Sequence, residues 1–156
     1  MTVTNDETDR SKQAGGYLGS KRNKLGRLYI IPFVPATTVL NILYLAISNN
    51  TANNLGGGIY CESNLIVNNT TIANNSAFSG GGINVQSGNS LTVSNSTVTA
   101  NSAQLAGGGI RTLSFTTINN STITGNTDAT NGEGIALLYD TTLSIFSSII
   151  AENGAG

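Results

Sequence analysis

A glycine-rich tetrapeptide that returns at a nearly constant interval constrains this chain more than any other feature. Gly-Gly-Gly-Ile occurs at residues 56–59, 80–83 and 107–110, and a variant, Gly-Glu-Gly-Ile, occurs at residues 132–135. The copies start 24, 27 and 25 residues apart. Repeats of this length are typical of solenoids, in which each repeat is a structural unit that packs on its neighbours. The period therefore predicts a repetitive architecture, but it identifies no substrate or partner.

Each copy of the repeat also carries short apolar segments whose spacing predicts strands. A Leu-x-Ile or Leu-x-Val segment precedes an Ile-x-x-Asn or Val-x-x-Asn segment, as at residues 65–75 and 91–101. Apolar and polar residues alternate, and Gly, Asn and Ser separate the segments, which is typical of strands and turns. Parallel pairing of each strand with its equivalent one turn later buries the apolar faces. The sequence therefore predicts an all-β, single-stranded parallel β-helix over residues 39–156, with about five coils and three short strands per coil.

The same periodicity predicts which side chains stack inside the coils. One position supplies a first aliphatic column, formed by Ile59, Ile83, Ile110 and Ile135. Another supplies a second aliphatic column, formed by Ile47, Ile72, Val98, Ile123 and Ile150. An asparagine stands three residues after each member of the second column, at Asn50, Asn75, Asn101, Asn126 and Asn153. Stacked amides can hydrogen-bond to one another and to turn backbone, so we expect a buried asparagine column.

Charge is scarce and unevenly distributed along the chain. Only 10% of the residues are charged, while 38% are hydrophobic and fall at regular positions, which argues for a folded core. Residues 1–27 carry a net charge of +3. The remaining residues contain one basic residue, Arg111, and five acidic ones, which gives a net charge of −4. The repeats offer no basic surface to a phosphate backbone, so we expect no nucleic-acid partner.

The beginning of the chain differs from the repeats, and we predict a polar, basic leader over residues 1–38 that is either disordered or an N-terminal cap. Within it, basic residues precede an apolar segment, so an export signal in residues 28–47 stays an alternative. Pro32, Pro35 and Asn41 interrupt that apolar segment, so we expect no membrane span in this chain.

The repeat resembles a known pattern. Gly-Gly-x-Ile, followed by a hydrophobic residue, two others and asparagine, is similar to the repeats of polymorphic outer membrane proteins. It also resembles the wider set of right-handed, pectin-lyase-like β-helix repeat proteins of bacterial surfaces. The resemblance covers residues 39–156, and it departs from the surface-protein pattern because Ile or Val replaces the usual Phe before x-x-Asn.

This resemblance implies both a fold and a function. The coil is expected to be right-handed, in agreement with the general chirality of parallel crossovers. The implied function is that of a non-catalytic structural or adhesive segment of a secreted or cell-surface (outer membrane) bacterial protein. The implied partners are glycans or cell-surface components.

Carbohydrate-active enzymes also use parallel β-helices, so a partial or degenerate enzyme of this kind is the alternative. Asn126-Thr127-Asp128 resembles the first acidic motif of polygalacturonases, but their paired aspartates, Gly-His-Gly and Arg-Ile-Lys have no counterpart here. Glycoside hydrolysis normally needs two facing carboxylates, for which Asp128 and Asp140 are the candidates. A lyase needs a basic residue, and Arg111 is the only one within the coils. We predict no catalytic, cofactor-binding or metal-binding residues.

Cysteine and glycine have structural interpretations in this sequence. Cys61 is the single cysteine and permits no internal disulfide. The chain lacks histidine, which removes a common zinc ligand and the usual base that activates a thiol. We therefore interpret Cys61 as a structural thiol. The glycine triplets are followed neither by Lys-Ser/Thr nor by a helix, so they predict corners and not phosphate-binding loops.

Two surface patterns have a structural and a functional interpretation. Acceptor sites of the form Asn-x-Ser/Thr belong to the repeat itself, which favours stacking over glycosylation, and they begin at Asn49, Asn68, Asn69, Asn74, Asn95, Asn119 and Asn120. Thr97, Thr99, Thr122 and Thr124 are similar to the flat threonine array of ice-binding β-helices. Neighbouring coils interrupt that array, so we interpret these threonines as ordinary outward strand residues.

The last copy of the repeat stops after Asn153, where another glycine corner is expected. An uncapped last coil exposes unpaired strand edges, which promote association. We therefore expect a fragment or truncated product, with end-to-end self-association through the last coil.

Overall fold

The computed structural model describes residues 18–19, 24–25, 28–30 and 39–154. In these residues all regular structure is β, without any helix, and parallel sheets stack as a β-solenoid of about five turns. The predicted fold class is therefore confirmed. Most of the predicted leader lies outside the described residues, so the division of the chain at residue 38 and the export signal stay predictions.

Short strands make up the described part of the solenoid. In chain order they are β1 (Leu18–Gly19), β2 (Lys24–Leu25), β3 (Leu28–Ile30), β4 (Val39–Leu43), β5 (Ala46–Ser48), β6 (Ile59–Cys61), β7 (Asn64–Asn68), β8 (Thr71–Ala73), β9 (Ser76–Ser79), β10 (Ile83–Val85), β11 (Ser90–Ser94), β12 (Thr97–Thr99), β13 (Ser102–Ala106), β14 (Ile110–Thr112), β15 (Phe115–Asn119), β16 (Thr122–Thr124), β17 (Ile135–Leu137), β18 (Leu143–Phe146) and β19 (Ile149–Ala151).

These strands form three main sheets and one small one. Sheet I has the order β1-β4-β7-β11-β15-β18, sheet II the order β17-β14-β10-β6-β3, and sheet III the order β19-β16-β12-β8-β5-β2. Strands β9 and β13 form the two-stranded sheet IV. Each turn of the chain adds one strand to sheet I, then one to sheet III and one to sheet II, and sheet IV lies in the connection between sheets III and II. Strands β1, β2 and β3 pair in parallel with β4, β5 and β6.

The pairing register confirms both predicted aliphatic columns. The first column runs across sheet II, where Ile83 pairs with Ile59 and Ile110, and Ile110 pairs with Ile135. The second runs across sheet III, from Ile47 through to Ile150. Members such as Ile72 are fully buried. Full burial of one such side chain contributes about 1.5–3 kcal/mol, so the columns contribute strongly to stability.

The predicted asparagine column is also confirmed. Asn75 Nδ2 donates to Asn101 Oδ1 at 2.9 Å, and the same oxygen accepts the Asn75 backbone N–H at 2.9 Å. Asn101 in turn donates to Asn126 Oδ1 at 2.9 Å and to the Ile72 carbonyl at 3.0 Å. The amides of Asn75, Asn101 and Asn126 are buried, so each amide supplies the partners that its neighbour would otherwise lack.

A column of hydroxyl groups that the sequence did not predict lies at the corner between sheets I and III. Ser96 Oγ accepts the Thr70 N–H, Ser121 Oγ accepts the Ser96 N–H, and Ser148 Oγ accepts the Ser121 N–H, each at 3.1 Å. The preceding residue adopts the left-handed conformation, as Asn95 does with φ of 48°. Asparagine tolerates that conformation. Asn-Ser/Thr is therefore a corner motif of this solenoid.

Glycine at the corner before sheet II allows successive coils to approach closely. Gly80 has φ of 67°, and a Cβ atom there would lie 2.7 Å from the Ile83 carbonyl oxygen. Gly81 has no room for a Cβ either, because the atom would lie 2.3 Å from the carbonyl oxygen of Ser102 in the next coil. The triplets are thus corners, as predicted. Among the described residues, none belongs to a helix of the length and apolar character needed to cross a membrane.

Candidate functional site

The outward face of sheet II is covered, unlike the outward faces of sheets I and III. Tyr60, Asn84, Arg111 and Ala136 pair across β6, β10, β14 and β17. They point away from the core, because the isoleucine before each of them points inward. Even so, Tyr60 is only 8% exposed, Asn84 0% and Ala136 4%, while Arg111 is partly exposed. We call these four residues the outward column of sheet II.

One side of the outward column is covered by the connections between sheets III and II. We call these stacked connections the lip, and they span residues 51–56, 76–80, 102–107 and 127–132. Sheet IV and isolated parallel bridges join them from coil to coil. The lip lies close to the column, since a Cβ on Gly80 would lie 2.9 Å from the Asn84 Cβ. Glycine at the end of each lip segment therefore permits this close contact.

The turns that follow sheet II cover the other side of the outward column. Gln86 Nε2 donates to Asn84 Oδ1 at 3.3 Å, and Ser114 Oγ donates to the Gln86 carbonyl at 2.6 Å. The Tyr60 hydroxyl donates to a carboxylate oxygen of Glu62. The column thus lies between two sets of stacked loops.

Two nitrogen atoms of the outward column lack hydrogen-bond acceptors. Asn84 Nδ2 and Arg111 Nη1 are both buried, and neither has a partner. Burial lowers the pKa of the Arg111 guanidinium, while Tyr139 and Tyr60 act on that pKa in the opposite direction. Asn84 could not be selected from the sequence, because a polar residue at an outward strand position is ordinary. Its burial depends on the surrounding loops.

The acidic candidates for glycoside hydrolysis have different surroundings. Asp128 Oδ1 accepts the N–H groups of Thr130 and Asn131 at 2.8 Å, and Asp128 Oδ2 accepts the Gly107 N–H at 3.0 Å. Asp128 therefore organises the lip. Asp140 is exposed and follows Tyr139 in the turn after β17. No ion pair links Arg111 to a carboxylate within the described residues.

Cys61 points into the core opposite Val85 and is fully buried. Burial raises the pKa of its thiol, although the Ser63 hydroxyl and backbone act in the opposite direction. A protonated thiol that packs in the core is a poor nucleophile, which agrees with the structural interpretation. Within the described residues, no three metal-ligating side chains cluster.

The outward positions of β5, β8, β12, β16 and β19 in sheet III carry no charged residue. Thr97 pairs with Thr122, and Thr99 pairs with Thr124, so the predicted outward placement of these threonines is confirmed. The positions that flank them across the sheet include Ala73 and Ile149. Beside this sheet, Asn95 Nδ2 donates to Asn68 Oδ1 at 3.0 Å, which shows that the amides of the acceptor motifs stack along the surface.

The last described coil ends in an open concavity of about 560 Å³. Ile135, Leu143, Ile145 and Ile150 contribute apolar side chains to it. Ile145 is 46% exposed and Ile150 37%, although both occupy core positions of the repeat. Glu133 and Glu152 lie at its rim.

Comparisons of this chain with models of protein families, with curated proteins and with solved structures find no match. Its function must therefore be argued from its own residues and from the geometry of the solenoid.

Proposed function

We propose that this chain is a non-catalytic structural or adhesive segment of a secreted or cell-surface bacterial protein, with glycans or cell-surface components as partners. The observation that carries this proposal is the environment of Asp128. Both of its carboxylate oxygens accept backbone N–H groups of the lip. A carboxylate whose two oxygens are engaged in this way stabilises a loop, which favours a structural role for Asp128 over a catalytic one.

The outward faces of sheets I and III support an adhesive role. They present short polar and β-branched side chains at regular intervals, such as Thr92 and Thr117 on sheet I and Thr97 on sheet III, and sheet I also exposes Phe115 and Phe146. Strands in the same register lie about 4.8 Å apart, so these side chains form an ordered, nearly uncharged surface. Such a surface favours an uncharged partner with many hydroxyl groups, because electrostatic attraction contributes little.

Glycan binding and glycan turnover are measured in the same experiment. The chain is incubated with a panel of neutral and pectin-like polysaccharides, and both retention and the release of reducing or unsaturated sugars are recorded. We expect retention without release. Substantial release of sugars would instead support the alternative, a partial or degenerate carbohydrate-active enzyme. A chain that stays inside the cell that makes it would contradict the surface location.

We also propose end-to-end self-association through the last described coil. Strands β17, β18 and β19 each have one edge without a neighbour among the described residues, and apolar core positions are exposed beside them. Unpaired edges next to apolar surface favour pairing with another chain. Sedimentation should therefore show a mass that rises with concentration.

A charge at the exposed end tests the proposed contact. Ile150→Lys should abolish the association, whereas Thr117→Lys, on the outward face of sheet I, should leave it unchanged. Association that persists in Ile150→Lys would contradict this contact.

A further inference from the structure

The outward column of sheet II contains an amide group with an unmet hydrogen-bonding requirement. Asn84 is fully buried, its Oδ1 accepts from Gln86, and its Nδ2 donates to no atom. A buried donor without an acceptor costs about 1–3 kcal/mol. Such groups are rare in folded proteins, and each one needs an explanation such as an ion.

The residue paired with Asn84 across the sheet is a cation without a counterion. Arg111 stands directly opposite Asn84 in the register of β10 and β14. Its Nη1 atom is buried and has no partner, and it forms no ion pair within the described residues. Arg111 as a whole is partly exposed, but withdrawing its Nη1 from water is costly unless a hydrogen-bond acceptor compensates for it.

We propose that Asn84 and Arg111 together form a binding site for a single oxyanion. A guanidinium binds carboxylate, sulfate and phosphate oxygens through short, charge-assisted hydrogen bonds. Asn84 and Arg111 lie on adjacent strands, about 4.8 Å apart, and leave the same face of the sheet. Their N–H groups can therefore donate to two oxygens of one anionic group.

The neighbours in the outward column limit where that oxyanion lies. Beyond Asn84 the column continues with Tyr60, a large ring whose hydroxyl is engaged with Glu62. Beyond Arg111 it continues with Ala136, whose side chain is a single methyl group. The column is therefore filled by a bulky side chain on one side of the pair and by a small one on the other. The oxyanion lies between the Asn84 amide and the Arg111 guanidinium, and Ala136 adds no bulk beside Arg111.

The electrostatic surroundings favour a small anion over a polyanion. Residues 39–154 contain one basic residue, Arg111, and five acidic ones, which gives a net charge of −4. Glu62 lies in the turn beside Tyr60, and Asp140 lies in the turn after β17. The net negative charge repels a chain of many negative charges. For one anionic group next to Arg111, the attraction of the guanidinium outweighs this repulsion.

The test measures thermal unfolding of the full chain in sodium acetate, sulfate and phosphate, with sodium chloride at the same ionic strength as the reference. An anion present at about ten times its Kd should raise Tm by roughly 5 °C. Acetate on the one hand, and sulfate and phosphate on the other, distinguish a carboxylate from a tetrahedral oxyanion. Arg111→Gln keeps a polar side chain and removes the charge, and it should abolish the rise.

Sulfate and phosphate also stabilise proteins in general, because they are excluded from protein surfaces. This general effect acts equally on wild type and Arg111→Gln, so only the difference between the two reports the site. Thr124→Gln, a partly exposed position of sheet III, is the matched control and should keep the full response. The inference is overturned if none of the three anions stabilises the wild type more than it stabilises Arg111→Gln.

A second measurement does not depend on the stability of the variants. The guanidinium Nε–H signal of Arg111 in a ¹⁵N-edited NMR spectrum of the wild type should shift on titration with the anion that raises Tm. Asn84→Asp places a carboxylate beside the site and should weaken binding at least tenfold. An unchanged Arg111 signal throughout the titration would also overturn the inference.

Discussion

The middle coils and the last described coil carry nearly the same side chains in different surroundings. Ile72, Val98 and Ile123 are fully buried, whereas Ile150, the next member of the same column, is 37% exposed. The side chains of one coil are therefore covered by the coil that follows, as expected for a solenoid whose stability resides in the contacts between repeats.

The glycine corners show the same difference. A Cβ on Gly57, Gly81 or Gly108 would lie 2.3 Å or less from a carbonyl oxygen of the next coil. The equivalent position of the last corner is Glu133, which lies beside the open concavity. Glycine is thus required where backbone of the next coil would contact a Cβ at the corner, whereas the Glu133 side chain lies beside Gly154.

The largest effect is expected when the corner of a middle coil receives a Cβ atom. In Gly81→Ala this atom would lie 2.3 Å from the Ser102 carbonyl oxygen and 2.5 Å from the Gly108 carbonyl oxygen. Backbone on both sides must move, so we expect a loss of at least about 3 kcal/mol in the free energy of unfolding. Urea titration followed by circular dichroism measures it.

The reciprocal change at Glu133, the equivalent position of the last corner, is the control for this prediction. Glu133→Gly should alter the free energy of unfolding by less than about 1 kcal/mol, because it only increases backbone freedom. A similar loss in both variants would show that the next coil is not the cause of the glycine requirement.

A smaller difference is expected within the second aliphatic column. Ile123→Ala should cost about 2–5 kcal/mol, because it opens a cavity between two neighbouring coils. Ile150→Ala removes the same atoms from a partly exposed side chain, and it should cost about 1 kcal/mol. Both losses follow from the urea concentrations at the unfolding midpoints, provided that the dependence of the free energy of unfolding on urea is the same in all variants. Equal costs would mean that Ile150 is as well covered as Ile123.

The smallest difference is expected in the asparagine column. Asn101→Ala leaves the Asn75 N–H and Nδ2 groups without their acceptor, and these groups are buried. We expect a cost of about 2 kcal/mol. Asn153→Ala removes the acceptor of Asn126, but water has access from the open end, so the cost should be about half as large.

Hydrogen exchange distinguishes these two asparagine variants locally. The backbone amide of Asn75 should exchange much faster in Asn101→Ala than in the wild type. The backbone amide of Asn126 should change less in Asn153→Ala. Equal acceleration at the two amides would contradict the proposed role of the covering coil.

The repeat allowed the interior of the solenoid to be predicted, but not its covered outer face. Ile83 and Ile110 could be assigned to one column because their position in the repeat is constant, and the register confirms it. The burial of Asn84 could not be predicted, since it depends on how the lip and the turns fold over sheet II. The hydroxyl of Ser96 was likewise missed as a backbone acceptor, because Asn-Ser-Thr also matches a glycosylation motif.

The sequence by itself determined the period, the alternation within strands and the identity of the stacked residues, because each of these recurs at a fixed interval and follows from local geometry. Only the tertiary structure decided which outward residues are covered, that Asp128 caps the lip and that Arg111 lies beside Asn84 without a counterion. Those features depend on loops that differ in length and sequence from coil to coil, so they cannot be predicted from the repeat pattern.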